Sequence, residues 1–378
     1  MINSCRLKIE RAMLGNRMKQ ISVLIKPSSS LCNMQCSYCF YKDEVDLRKN
    51  PMAKMMDKLT IEAIINKTMA LDVDCIHYCF QGGEPTLVGL DFYYYFIDYV
   101  SKMNNGKDIS YSIQTNGLLL DEKWFDLFSQ YQFLVGISID GFKEIHDMLR
   151  KNHHQEGTFD IIMNNVWKIK QRDIRFNILT VLTHQLSKYP SQLYDFYIKN
   201  ELDNIQLIPC LPSLDESQTN PYALTPQDFS SFYKTFFDLW LEDQGRLSVT
   251  LFDNIISMYL GFVPQQCGMI QKCYMQYVIE ADGSVYPCDF YALDEYKCGN
   301  IHKNTLKEIF NHENAQTFLT KRNEISTVCK TCPFYKMCYG YCKRMNVCLK
   351  NDTYCGYQEF LSYSQEGFIN FLRKTYGK

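Results

Sequence analysis

Six short runs rich in β-branched and aromatic residues, each followed by a stretch of helical spacing, set the strongest limit on what this chain folds into. The runs are "ISVLIKP" (21–27), "IHYCFQ" (76–81), "YSIQTNG" (111–117), "FLVGISID" (133–140), "RFNILTVL" (175–182) and "NIQLIPCL" (204–211). Between them lie segments such as "TIEAIINKTMA", "LDFYYYFIDYVSKM" and "DEKWFDLFSQ", whose apolar residues recur with helical spacing. Repeated βα units pack as a parallel sheet covered by helices, so the predicted architecture is a curled sheet or part of a (β/α) barrel. With 378 residues, 46% of them hydrophobic, the chain can bury a large core as a big domain plus a smaller one, or as two domains.

The segments after the strands carry the chemistry. The first run leads into a cysteine loop and the second into "QGGEP"; the third ends in "QTNG", the fourth in "SIDG" and the sixth in "PCL". Ligand sites of parallel α/β sheets and barrels gather at the carboxyl ends of the strands, so five of the six deliver polar, cysteine or glycine-rich segments to one rim.

The cysteine loop, "SSSLCNMQCSYCFY" (28–41), sets Cys32, Cys36 and Cys39 at the spacing CxxxCxxC, with no fourth cysteine for more than thirty residues. A closed structural zinc site wants a fourth ligand nearby. Three thiolates instead suit three irons of a [4Fe–4S] cluster whose fourth iron stays open to an exogenous ligand. The remaining competitor at this level is a zinc-binding knuckle.

Seventeen cysteines in all make a disulfide framework the first thing to test, and the N-terminus answers against it. "MINSCRLKIERAMLGNRMK" is charged throughout and lacks an apolar signal region, which predicts a cytoplasmic protein with reduced thiols. No run is long and uncharged enough to span a bilayer. A formal net charge of −2 with interspersed signs gives no basic stripe for nucleic acid, so neither a membrane nor a nucleic-acid partner is expected. Ten cysteines fall between Cys267 and Cys355. Cys267, Cys273 and Cys288 form one spaced series; Cys329, Cys332, Cys338, Cys342 and Cys355 form another, together enough for two four-cysteine sites. Zinc ribbons and iron–sulfur clusters both use such spacing.

The loop, with Tyr38 just before its third cysteine, resembles the radical S-adenosylmethionine (radical SAM) superfamily, and "QGGEP" resembles that family's second element. The resemblance implies a partial (β/α)6 radical SAM barrel in which the open iron binds SAM and yields a 5′-deoxyadenosyl radical. It also implies that Gln81, Gly82, Gly83 and Glu84 contact SAM, with Glu84 pairing to its ammonium. Ser138 and Arg150 would take the ribose and carboxylate region, Leu211 the adenine side and Tyr38 the nucleoside. Gly82 and Gly83 permit unusual φ and close backbone approach, and a carboxylate suits an ammonium.

The C-terminal cysteines resemble the SPASM extension of radical SAM enzymes. That likeness implies two auxiliary [4Fe–4S] clusters, one on Cys267, Cys273, Cys288 and Cys342, the other on Cys329, Cys332, Cys338 and Cys355. Three clusters in all are therefore expected, with Cys298 and Cys348 spare. The expected organisation is an N-terminal extension over 1–20, with Met18 a second candidate start, the barrel over 21–235, and the SPASM domain over 236–378.

From residue 20 on, "SVLIKPSSSLCNMQCSYCFY", "FQGGEPTLVGL", "FLVGISIDGFKEIH" and "ADGSVYPCDFYALD" resemble the anaerobic sulfatase-maturating enzymes. The resemblance implies oxidation of one cysteine or serine of a sulfatase to Cα-formylglycine, with Asp289 accepting the side-chain proton and Tyr41 close to the substrate. A reduced flavodoxin or ferredoxin would supply electrons. His153 and His154 read as solvated loop residues. Two rivals stay open here: a SPASM maturase that crosslinks a ribosomal precursor peptide, and a zinc or electron-transfer module. The second leaves the "QGGEP" element without a task.

Overall fold

In the computed structural model, residues 19–49, 54–215, 217–321 and 325–377 are described. The proposed alternative start at Met18 and most of the expected N-terminal extension lie outside them. Seven parallel strands run in sequence order: β1 (Gln20–Ile25), β2 (Cys75–Phe80), β3 (Asp108–Thr115), β4 (Leu134–Ser138), β5 (Phe176–Leu182), β6 (Asn204–Pro209) and β7 (Ser248–Val249). The helices in this part are α1 (Phe40–Asp46), α2 (Lys58–Met69), α3 (Leu90–Met103), α4 (Glu122–Gln130), α5 (Lys143–Leu149), α6 (Phe159–Gln171), α7 (Pro190–Lys199), α8 (Pro226–Glu242) and α9 (Thr250–Tyr259).

The alternation of β2 shows why these residues make strands. Ile76, Tyr78 and Phe80 are fully buried beneath helices, whereas Cys75, His77 and Cys79 point to the other face, which is only partly covered. Helix α3 returns Phe92, Tyr93, Phe96, Ile97 and Val100 to that buried face, and Phe80 meets Phe96 edge-on at 5.1 Å. Sharp starts come from side-chain caps: Asp57 accepts from Thr60 N at 2.9 Å, and Asp121 accepts from Lys123 N and Trp124 N. Removing either cap would cost about 1 kcal/mol.

The C-terminal third does not form a separate sheet. Strand β8 (Val278–Ile279) pairs parallel to β1 on its free side, and β9 (Ser284–Tyr286) and β10 (Gly299–Asn300) follow antiparallel, giving the order β10-β9-β8-β1-β2-β3-β4-β5-β6-β7. The final helix, Gly356–Tyr376, lies on α8, with Phe237 and Phe368 centroids 4.5 Å apart. A barrel boundary after residue 235 falls inside α8, so the expected division cuts a continuous helix whose apolar face both parts share. The rim segments of the predicted strands also belong to loops: β3 stops at Thr115, β4 at Ser138 and β6 at Pro209. There the ladder gives way to side chains, as Asn116 N donates to Glu84 and Val181 N to Asp140.

Candidate active site at the carboxyl ends of the strands

The cysteine loop leaves β1 in a tight turn, with Ser29 N donating to Lys26 O at 3.1 Å and Leu31 N to Ser28 O at 2.9 Å. It is clasped on the far side by the chain after α5: Gln35 N donates to Lys151 O at 2.8 Å and Ser37 N to Leu149 O at 3.0 Å. Cys39 closes the loop by starting α1. Burial pushes the Cys32 thiol up to about 12 and Cys36 to about 11, with neighbouring thiols of the loop adding to the rise in each, and Cys39 is raised too. Buried thiols that crowd one another ionise only against strong positive charge, and this donor set fits soft iron. Among the described residues, no three Cys, His, Asp or Glu side chains converge as the ligands of a single metal ion.

"QGGEP" braces that loop through backbone. Gly82 has φ +121°, and a Cβ there would lie 2.9 Å from Ser29 O; at Gly83 it would lie 2.1 Å from Leu31 O. Only glycine permits the resulting bonds, Gly83 N to Ser29 O and Glu84 N to Leu31 O, both 2.8 Å. The Glu84 carboxylate, expected to meet an ammonium, is 1% exposed and turned to its own chain. Its Oε1 accepts from Thr86 N, Thr86 Oγ1 and Thr115 Oγ1, and its Oε2 accepts from Asn116 N at 2.7 Å. Burial raises its pKa above the usual carboxylate range. Asn116 continues the brace, donating to Asn33 Oδ1 at 2.7 Å.

Next to Cys36, the partly buried Tyr38 interlocks with the buried Asp140 and Arg150. Tyr38 donates to Asp140 Oδ2, Arg150 Nη1 donates to Tyr38 Oη at 2.9 Å, and Arg150 lies 3.9 Å from Asp140. Burial raises the Tyr38 hydroxyl well above its usual range, so it acts as a neutral donor. Asp140 stands in "SIDG", where sequence reasoning singled out Ser138 instead. Ser138 is half-buried at the end of β4, and Leu211 packs into the core. His153 is exposed, as read, and its Nε2 sits 2.9 Å from Cys32 O. His154 is exposed.

Asp289 follows β9 and opens a short 3-10 turn. Its Oδ2 accepts from Tyr41 Oη and from Gln81 Nε2, both at 2.7 Å, and Gln81 also donates to Tyr41 Oη at 2.8 Å. Gln81 thus meets Asp289 rather than the glycine turn. The Lys26 ammonium lies 3.0 Å from Oδ1. Behind it stand Glu280 at 3.5 Å, Glu44 at 3.9 Å and Arg48, which reaches Glu280 at 3.1 Å. Burial works against the Lys26 charge, but Asp289, Glu280 and Glu44 outweigh it and raise its pKa. Sequence reasoning missed all four residues of this underlay.

The C-terminal cysteines gather around two cavities that share Cys329 in their walls. Cys267, Cys273 and Cys342 border the larger, of about 320 Å³, and burial raises the Cys288 thiol, with Cys342 and Cys267 nearby adding to the rise. Cys329, Cys332, Cys338 and Cys355 surround the smaller. Burial holds Cys267 and Cys338 up at about 12. Cys298 and Cys348 stand apart as buried donors, to Tyr296 O at 3.2 Å and Cys210 O at 3.3 Å.

Comparison with known proteins gives this arrangement its context. Residues 27–196 match the radical SAM superfamily model, and residues 267–333 match the SPASM model, described as an iron–sulfur cluster-binding domain. A cysteine-type anaerobic sulfatase-maturating enzyme of Clostridium novyi is 42% identical over 86% of this chain and 89% of its own length. A serine-type enzyme of Bacteroides thetaiotaomicron is 31% identical over 94% of this chain and 89% of its own. The solved structure of native anSMEcpe with bound AdoMet and Kp18Cys peptide superimposes with a TM-score of 0.85 at 34% identity, covering 94% of this chain and 99% of that one. The chain is a radical SAM enzyme and belongs to the family of anaerobic sulfatase-maturating enzymes.

Proposed function

We propose that this enzyme oxidises one cysteine of a sulfatase to Cα-formylglycine, with serine the less favoured target. The observation that carries this reading is the Asp289 carboxylate, held by Tyr41, Gln81 and Lys26 beside Cys288, on the strand-end face that also carries the cysteine loop. The higher identity to a cysteine-type relative supports the preference for cysteine.

Cys32, Cys36 and Cys39 would hold the SAM-binding [4Fe–4S] cluster. Cys267, Cys273, Cys288 and Cys342, and Cys329, Cys332, Cys338 and Cys355, would hold two more. The first cluster would supply the electron that cleaves bound SAM to methionine and a 5′-deoxyadenosyl radical able to take a hydrogen atom from the substrate Cβ, and an auxiliary cluster would take up the electron released as the carbon–sulfur double bond forms. The chain's own residues do the rest. Asp289 accepts the thiol proton, which requires hydrogen-bond reach of the target side chain. Tyr41 donates to Asp289 and stays protonated, because burial and then the Asp289 charge push its hydroxyl well above the usual range. Gly82, Gly83, Glu84 and Asn116 fix the backbone against which SAM would lie, and the interlocked Tyr38, Asp140 and Arg150 would meet its nucleoside and carboxylate parts. Ser138, at the end of β4, would meet the ribose and carboxylate region of SAM, and Leu211, just past β6, its adenine side. Hydrolysis of the thioaldehyde then gives the aldehyde. A reduced flavodoxin or ferredoxin is the proposed electron donor.

The test is an anaerobic assay of reconstituted enzyme with cysteine and serine versions of a sulfatase-motif peptide, read by mass spectrometry. Formylglycine from the cysteine peptide, faster than from the serine peptide, is expected. SAM cleavage with a crosslinked peptide and no aldehyde would overturn the reading.

A further inference from the structure

A carboxylate held only by Tyr41 and Gln81 would be free to swing, because both donate to the same oxygen, Oδ2. Among the described residues the second oxygen accepts no hydrogen bond, and the Lys26 ammonium faces it from behind at 3.0 Å as an ion pair. We propose that Lys26 is the positioning residue for Asp289, locking the carboxylate's rotation so that abstraction at Cβ is followed by loss of the side-chain proton. The inference rests on the reading of Asp289 as proton acceptor.

The anchor is itself fixed on every side. Lys26 is the first residue after β1, its N–H donates to Ile279 O at 2.8 Å, and its side chain is 1% exposed. The ammonium lies 4.3 Å from the Tyr41 ring centroid, 3.5 Å from Glu280 and 3.9 Å from Glu44. Its stem lies along Gly82, where a Cβ would come within 3.1 Å of Lys26 Cβ. One side chain therefore touches the glycine turn, the tyrosine and the carboxylate, and it bridges β1 to the segment after β8. Arg48 is also buried and joins the same carboxyl groups, Glu44 and Glu280, but among the described residues makes no ion pair or hydrogen bond with Asp289. That difference provides the control.

The experiment compares Lys26→Met, Lys26→Arg and Arg48→Met as reconstituted holoenzymes. Each is measured for iron content, thermal midpoint, 5′-deoxyadenosine formation, KM for the cysteine peptide and formylglycine yield. A misplacement of a reacting group by about 1 Å can cost about 10²-fold. Lys26→Met is expected to keep iron content, 5′-deoxyadenosine formation and KM while formylglycine per 5′-deoxyadenosine falls by about 10- to 10²-fold. Lys26→Arg is expected to recover part of that ratio. Arg48→Met is expected to lose thermal stability yet keep the wild-type ratio. Because a lone deletion leaves Glu280 short of a partner, the double variant Lys26→Met/Glu280→Gln is included to secure folding; it is expected to stay uncoupled. A wild-type ratio in either folded Lys26→Met protein, or equal uncoupling in Arg48→Met, overturns the inference. Asp289→Asn in parallel separates the two readings. If it too gives formylglycine at the wild-type rate, the proton-acceptor reading has failed; if it alone is uncoupled, only the role of Lys26 has.

Discussion

The cysteine loop and the Asp289 site face the same rim but are held by opposite means. Around Cys32, Cys36 and Cys39 the fixing contacts run between backbone groups, and two glycines let the loops approach to a distance that no Cβ allows. Around Asp289 they run between side chains, Lys26, Tyr41 and Gln81, with Glu44, Arg48 and Glu280 buried behind. A loop held by backbone fails first when volume is added. A carboxylate held by charge tolerates modest changes of volume and fails when a donor is lost.

The strongest blow to the first region is a single methyl. In Gly83→Ala the new Cβ would lie 2.1 Å from Leu31 O and 2.6 Å from its carbonyl carbon, so backbone must move. Overpacking of this kind costs about 1–3 kcal/mol, and here the displaced segment carries Cys32. SAM cleavage should be abolished, and iron content should drop by about a third if one of the three proposed clusters is lost. Iron assay and 5′-deoxyadenosine measurement on one sample check this. Full SAM cleavage in the variant would break the comparison.

In the second region, Asp289→Asn keeps the shape and removes the proposed proton acceptor. Formylglycine is expected to fall by about 10²-fold while 5′-deoxyadenosine still forms. Iron content must be measured alongside, because Asp289 adjoins Cys288. Tyr41→Phe should act in the same direction but less, about tenfold, since one hydrogen bond to a charged group is lost while Gln81 and Lys26 remain. If Tyr41→Phe instead reduces iron loading, the tyrosine supports the cysteine loop and the division between the regions is less clean.

The contrast also explains what could be read from the sequence. The backbone-held region was legible because its parts are contiguous: CxxxCxxC and "QGGEP" declare themselves by spacing, and "SIDG" and "QTNG" mark strand ends. Even there, side-chain partners were not: nothing in the motif signalled that Thr86, Thr115 and Asn116 hold the Glu84 carboxylate. The charge-held region draws Lys26, Glu44, Arg48, Glu280 and Asp289 from positions more than two hundred residues apart. A lysine at a strand end or a glutamate in a short helix gives no local signal of such a meeting. Strands β8, β9 and β10 are two or three residues long, too short for any periodicity to show. Without them nothing indicated that the C-terminal part extends the first sheet at β1.

The smallest predicted effect sharpens the comparison through pH. Glu44 is 1% exposed; its Oε1 accepts from Ala292 N, and its Oε2 faces Lys26 and Arg48 at 3.9 and 3.8 Å. Burial pushes its carboxyl up to about 8, against the pull of Lys26 and Arg48 and with the Asp289 charge adding to the rise. Proton counting sets the sign. Below the unfolded value of about 4.5 both states hold the proton; between about 4.5 and about 8 the folded state keeps it and the unfolded state does not. Folding therefore binds protons in that window, and the Glu44 contribution to stability declines as pH rises through it, by at most about 1.4 kcal/mol per pH unit. Replacing Glu44 by Gln keeps the size and the acceptor for Ala292 N but removes the titration. The variant should lose less stability than the wild type between pH 5 and pH 8, by on the order of 1 kcal/mol overall once its neighbours relax. Anaerobic thermal midpoints of the two holoenzymes across that range decide it. Parallel pH profiles would mean that Lys26 and Arg48 hold Glu44 ionised, and that the underlay beneath Asp289 carries one more negative charge than inferred. The equivalent change in the backbone-held region, Glu84→Gln, should instead lower the midpoint at every pH where Glu84 is ionised, because Thr86 and Thr115 already saturate Oε1 and the Asn116 N–H would face an amide that can present a donor.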